Sequence, residues 1–116
     1  VIAMLDNKFF ISDEVEERSI EMGDGSVEVL HFKHLSNTAL ERYAIWLSSA
    51  DEDVIATASA RLVALGLCEP DGKTTLSVEQ AERIKRPVMQ RIVKALLEVN
   101  GYGKQQQQAQ EKTGND

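Results

Sequence analysis

Residues 76–103 read L-S-V-E-Q-A-E-R-I-K-R-P-V-M-Q-R-I-V-K-A-L-L-E-V-N-G-Y-G, and this stretch decides how the rest of the chain is read. Ser77 followed by Gln80 has capping-box spacing, in which hydroxyl and amide each accept the other residue's free backbone N–H. Apolar residues then recur at Val78, Ala81, Ile84, Val88, Ile92, Leu96 and Val99, the period of one helix face. Met89, Val93 and Leu97 widen the stripe toward its end, while Arg83, Lys85, Arg86, Gln90, Arg91 and Lys94 lie largely off it. Gly101 follows Asn100 at the position where a glycine stops a helix by entering the left-handed region. The spacing predicts a long helix over about 77–99, roughly 33 Å at the usual rise. Pro87 stands in its middle and predicts a kink, or two helices meeting near Arg86.

Outward from this stretch, the chain reads as mainly α with a small N-terminal β-hairpin, an α+β domain. Gly23-Asp24-Gly25 separates two segments and marks a hairpin over about 15–33, because glycine accepts positive φ cheaply. In its second half Val27, Val29 and His31 alternate with Glu28, Leu30 and Phe32. A lone hairpin is marginal in water, so this one must pack on helices or pair with another strand, and it can leave a free edge for a partner. Two further helices are expected over about 38–48 and 51–65. Thr38 to Glu41 and Ser49 to Glu52 supply their capping signals. Leu40, Tyr43, Ala44 and Leu47 form the apolar face of the first, with Trp46 as a core anchor. Val54, Ile55, Ala58, Leu62 and Leu65 form that of the second, and Gly66 ends it. Residues 68–75 read as a loop from their proline and glycine.

The 116 residues suit one domain, expected over 1–103, followed by a polar, disordered tail over 104–116 that has almost nothing to bury. Val1-Ile2-Ala3 precedes Met4, which makes Met4 the expected natural start. One cysteine, Cys68, excludes an internal disulfide and suits a reducing cytoplasm. No apolar run is long enough to span a bilayer, so no membrane association is expected.

Net charge is −6. Residues 12–28 carry Asp13, Glu14, Glu16, Glu17, Glu21, Asp24 and Glu28 against Arg18 alone. Arg83, Lys85, Arg86, Arg91 and Lys94 form a basic run with no acid from 83 to 94. The overall acidity argues against nucleic acid, whose binding depends on neutralising phosphate. The alternative reading is a small helical nucleic-acid-binding or regulatory protein that uses the basic face of the last helix. Opposed acidic and basic regions also allow head-to-tail self-association.

Chemistry-bearing motifs are sparse. His31 and His34, three apart in a strand, point to opposite faces and lack a ligand-spaced cysteine or acid, so no metal site is expected. Gly72-Lys73-Thr74 looks like the end of a phosphate-binding loop, but Leu67 stands where that pattern needs a glycine. No nucleophile with a base and no paired acids stand out, so neither enzyme activity nor a cofactor is expected.

The residues at Leu76, Ala81, Ile84, Pro87-Val88-Met89, Leu96-Leu97 and Glu98-Val99-Asn100-Gly101 resemble the C-terminal part of phage tail assembly chaperones, small proteins of long-tailed bacteriophages. The strong likeness covers about a quarter of the chain, and Ala39-Leu40-Glu41-Arg42 fits more loosely. The resemblance implies a non-enzymatic protein of the host cytoplasm that binds the tape measure protein in multiple copies and keeps it soluble. Such a protein is absent from the mature tail. It also implies a longer form made by ribosomal frameshifting, which recruits the tail-tube protein. On the residues themselves, Pro87, Met89 and Val93, with Arg86 and Arg91 beside them, are the expected partner contacts. Val88, Ile92 and Leu96 are assigned to the core.

Overall fold

A computed structural model describes residues 6–102. The expected start at Met4 and the expected tail over 104–116 lie outside them. Strands β1 (Val15–Glu21) and β2 (Val27–Lys33) pair antiparallel, with Glu21 opposite Val27 and Val15 opposite Lys33. Gly23 and Gly25 both take positive φ in the connection, at 89° and 91°. Met22 N–H donates to the Ser26 carbonyl to close it. Helices α1 (Asn37–Leu47) and α2 (Glu52–Gly66) follow. The chain then forms a two-residue strand, β3 (Leu67–Cys68), a short helix α3 (Val78–Ala81) and the helix α4 (Arg86–Val99).

Residues 68–75 are therefore more than a loop. Leu67 and Cys68 pair antiparallel with Phe32 and His31, making a three-stranded sheet in the order β1-β2-β3. Cys68 also bridges to Thr74, so Gly72-Lys73-Thr74 folds into a tight return rather than a phosphate cradle. Two residues are too few to show a period, which is why the strand has no signature in the sequence.

The single kinked helix over about 77–99 is not formed. Two helices stand in its place, separated by a turn over residues 82–85. A proline at 87 in a continuous helix would lack the N–H for the Arg83 carbonyl and crowd that turn. The chain instead leaves the helical region at Lys85 (φ −57°, ψ 139°) and restarts at Arg86. Pro87 then sits in the first turn of α4, where a missing N–H goes unneeded. The break shifts the helical register, so Val78 of the expected stripe is exposed while Ala81, Val88, Ile92, Leu96 and Val99 remain buried.

The helix ends are set locally. Ser77 and Gln80 form the capping box, at 3.1 Å for Gln80 N to Ser77 Oγ and 2.9 Å for Ser77 N to Gln80 Oε1. Helix α1 is capped two residues earlier than Thr38, by Ser36, whose hydroxyl accepts from Ala39 N–H. Asp51 caps α2 by accepting from Asp53 N–H. Gly101, at φ 88°, stops α4 and donates to the Glu98 carbonyl.

The core lies between the inner sheet face and helices α2 and α4. Phe32, Leu62, Val63 and Leu96 are its largest fully buried side chains, with Ile20, Leu35 and Ile92 around them. On β2 the core face carries Leu30 and Phe32, while Val27 and Val29 stay 55% exposed on the opposite face. Gly66, the last residue of α2, has no positive φ and ends nothing by conformation. A Cβ there would fall 2.5 and 2.6 Å from the two Cδ atoms of Leu96, so glycine permits the close approach of α2 and α4. Asn100 ties the far end of α4 to the sheet. Its Oδ1 accepts from Leu35 N–H at 2.7 Å, and its Nδ2 donates to the Leu96 carbonyl at 2.9 Å.

Helices α1 and α2 turn differently from their expected faces. No side chain of α1 is buried: Ala39, Leu40, Tyr43 and Trp46 are half-buried, while Ala44 and Leu47 are exposed. The helix is rotated so that Tyr43 and Trp46 meet α2, with Tyr43 beside Ser59 and Trp46 under Arg61. On α2, Ala58 and Leu62 are buried, but Ile55 and Leu65 are exposed and Ala60, Val63 and Gly66 take their place inside. A helix covered by both α1 and α4 buries more than one stripe, and small residues suit those two interfaces.

Gly66→Ala is expected to destabilise the fold in urea unfolding. Overpacking costs about 1–3 kcal/mol, against a gain of up to about 1 kcal/mol from better helix propensity. In a Leu96→Ala background the same change should become neutral or stabilising, because the space is open. Asn100→Ala is expected to cost about 1–3 kcal/mol by leaving the half-buried Leu35 N–H unpaired. An unchanged urea midpoint for Asn100→Ala would show that the amide carries no such load.

Candidate functional site

Arg86 and Pro87 are exposed on the first turn of α4, and Met89, Arg91 and Val93 are half-buried. At about 100° per residue, Arg86, Met89 and Val93 fall on one flank of the helix and Pro87 and Arg91 on the other. Met89 and Arg91 are about 160° apart on that wheel. The fold therefore splits the five expected contact residues between two surfaces. Met89 and Val93 pack against the buried core, and Arg91 Nη1 donates to the Glu21 carbonyl at 3.0 Å, clasping the end of β1.

The two charge regions are neighbours rather than opposite poles. Lys85 lines a hollow with Asp24, Ser26 and Glu28 of the hairpin end, beside Ile84 and Val88. The Asp24 carboxyl is held below its ordinary range, first by the Ser26 hydroxyl and backbone N–H and, to a lesser degree, by the Lys85 charge. The start of the basic run thus faces acids of its own molecule. The histidines find carboxylates too, His31 Nε2 at 3.2 Å from Glu17 and His34 Nε2 at 3.3 Å from Glu16. Among the described residues no three or more His, Cys, Asp or Glu side chains gather where they could hold a metal ion. Burial pushes the Cys68 thiol above its ordinary pKa, the opposite of what a reactive nucleophile needs. No helix among the described residues is long and apolar enough to cross a membrane.

The larger recess lies elsewhere. Helices α1, α2 and α3 line an open groove of about 550 Å³. Arg42 and Trp46 of α1, with Arg61 of α2 over the Trp46 ring, form one bank, and Thr57, Ala64 and Leu65 of α2 lie between the banks. Val78, Glu79 and Glu82 form the other bank. Arg61 is fixed in place, with its guanidinium 5.5 Å from the Trp46 ring centroid and its Nε donating to Thr57 Oγ1 at 3.0 Å. Trp46 is thus a half-buried wall of a groove, not the core anchor expected from its size. The sequence held one signal of it. Apolar residues at 43–47 run right round the end of α1, more than one packed face can bury, and Ile45 and Leu47 remain 63% and 48% exposed.

In comparisons with known proteins, no family model, no curated protein and no solved structure matches the chain. What the residues define is an α+β domain with a recess walled by helices, lined by Trp46, Ala64, Leu65 and Val78 together with the charged Arg42, Arg61, Glu79 and Glu82.

Met89→Asp is expected to lower stability by about 1–3 kcal/mol, since a carboxylate replaces a side chain packed on the core. An unchanged urea midpoint for this variant would return Met89 to the contact surface.

Proposed function

We propose that this chain is a phage tail assembly chaperone, a non-enzymatic protein that binds the tape measure protein and keeps it soluble until the tail tube forms. The observation that carries the reading is the pattern at Pro87-Val88-Met89, Leu96-Leu97 and Glu98-Val99-Asn100-Gly101, in which the chain resembles that family. These residues build the fold rather than a reaction centre: Pro87 starts α4, Val88, Leu96 and Val99 are buried, and Asn100 and Gly101 fasten and stop the helix. The exposed apolar side chains of Ile45, Leu47, Ile55, Leu65 and Val78 on the helical side give a binding protein something to bind with.

The physical task suits a small domain of this kind. An extended helical protein before assembly exposes apolar stripes, and many small copies can cover them. Each contact can be weak and the whole coat still hold, because contacts along one chain add through effective concentration. Release then needs no nucleotide or metal, only competition from subunits that polymerise around the same chain. Under this reading the protein works in the host cytoplasm, and a frameshifted longer form brings the tail-tube protein to the coat.

The test is co-expression with the long helical protein encoded nearby, followed by pulldown on this chain and mass determination. A soluble complex carrying many copies of this chain is the expected result. A partner that stays insoluble, with this chain alone in solution, rejects the reading. Retention of DNA by the free protein in a low-salt shift assay would favour the basic residues Arg83, Arg86 and Lys94 as its working surface instead.

A further inference from the structure

We propose that the groove between α1, α2 and α3 is the docking site for an amphipathic α-helix of a second protein, one flank of that helix acidic and the other basic. The inference rests on the reading of the chain as a binding protein and gives that reading its surface. It moves the contact away from α4, whose apolar stripe is already buried in the core.

Three observations select the occupant. The walls are helices and a turn, not strands, so the groove offers no strand edge to an extended peptide. Recognition must come from side chains meeting side chains, as in a helix laid into a groove by its i, i+3, i+4 and i+7 residues. The floor and inner banks supply the apolar complement: the Trp46 ring, Ala64, Leu65 and Val78, the last two 38% and 37% exposed. The rims carry opposite charge. Arg42 and Arg61 stand toward α1, and Glu79 and Glu82, three residues apart, stand along the α3 bank.

These charges are available. Among the described residues, Arg42, Arg61, Glu79 and Glu82 take part in none of the ion pairs. Arg61 is held by Trp46 and Thr57 through its ring contact and Nε, which leaves its two terminal amino groups for an incoming carboxylate. An acidic flank therefore belongs on the α1 side and a basic flank on the α3 side. A uniformly acidic helix meets repulsion from Glu79 and Glu82, and phosphate meets the same acids. A uniformly basic helix meets Arg42 and Arg61.

Trp46 is the only tryptophan in the chain, so its emission reports on the groove directly. The probes are synthetic peptides of about 20 residues, long enough to form a helix, without tryptophan and with one leucine stripe. One carries glutamates on one flank and lysines on the other, the second glutamates on both, the third lysines on both. The mixed peptide is expected to shift Trp46 emission saturably and to bind at least about fivefold tighter than either uniform peptide at low salt. Arg42→Glu and Glu79→Lys change exposed side chains, so both variants should fold, and each should weaken the mixed peptide about fivefold.

Equal binding of the three peptides, no emission change at saturating peptide, or unchanged affinity in both variants would overturn the proposal. Self-association of the protein alone that Arg42→Glu abolishes would assign the groove to a second copy and overturn it as well. The two levels separate in co-expression. A wild-type complex that survives both substitutions rejects the groove and leaves the chaperone reading standing. Failure of the wild-type complex rejects the chaperone reading, while the peptide titration decides the groove by itself.

Discussion

Leu96 rests in the space that Gly66 leaves open, and the fold is arranged around that contact. Leu96 is fully buried, and both of its methyl carbons lie where any side chain on residue 66 would have to stand. The contact lets α4 lie close to α2 while its other neighbours are the two long strands. One short helix thereby touches both halves of the domain. Leu67, the residue after Gly66, enters the sheet beside Phe32, so the same point on the chain sets the helix spacing and closes the third strand. Protein interiors tolerate little change of volume, and a position used twice in this way has less tolerance than most.

Pro87 and Asn100 fix the two ends of α4 against that central contact. Proline ends any continuation from α3 and places the helix start beside the hairpin end, where Lys85 shares a hollow with Asp24 and Glu28. Asn100 binds the other end to the segment that leads from β2 into α1. The separation of α3 from α4 has a consequence for binding. A continuous helix would have kept Val78 in register with the buried stripe. The turn at 82–85 lets Val78, Glu79 and Glu82 line the groove instead.

Much of the local structure was legible because it is written in short-range chemistry. The capping box at Ser77 and Gln80, the stop at Gly101 and the buried positions Val88, Ile92 and Leu96 follow from spacing alone. Faces were harder. Helix α1 has apolar residues on every side near its end, so no period chooses among them, and packing against Ser59 and Arg61 turns Tyr43 and Trp46 inward. The contact residues expected on α4 do not share one surface, for a related reason. Met89 and Arg91 are close in sequence, but helical geometry puts them on different flanks, one on the core and the other on the β1 backbone.

By itself the sequence determined an α+β domain, the cap at Ser77 and Gln80, the stop at Gly101 and an interruption at Pro87, since each depends on residues within a turn or two of one another. Tertiary structure alone decided that Leu67 and Cys68 form a strand, that Gly66 serves packing rather than termination, and that Trp46 walls a groove with Arg61 and Val78. Those outcomes join residues 15 to 37 positions apart, and no local propensity speaks for a neighbour that distant. The candidate surface belongs to this second group because a groove exists only where separate helices meet.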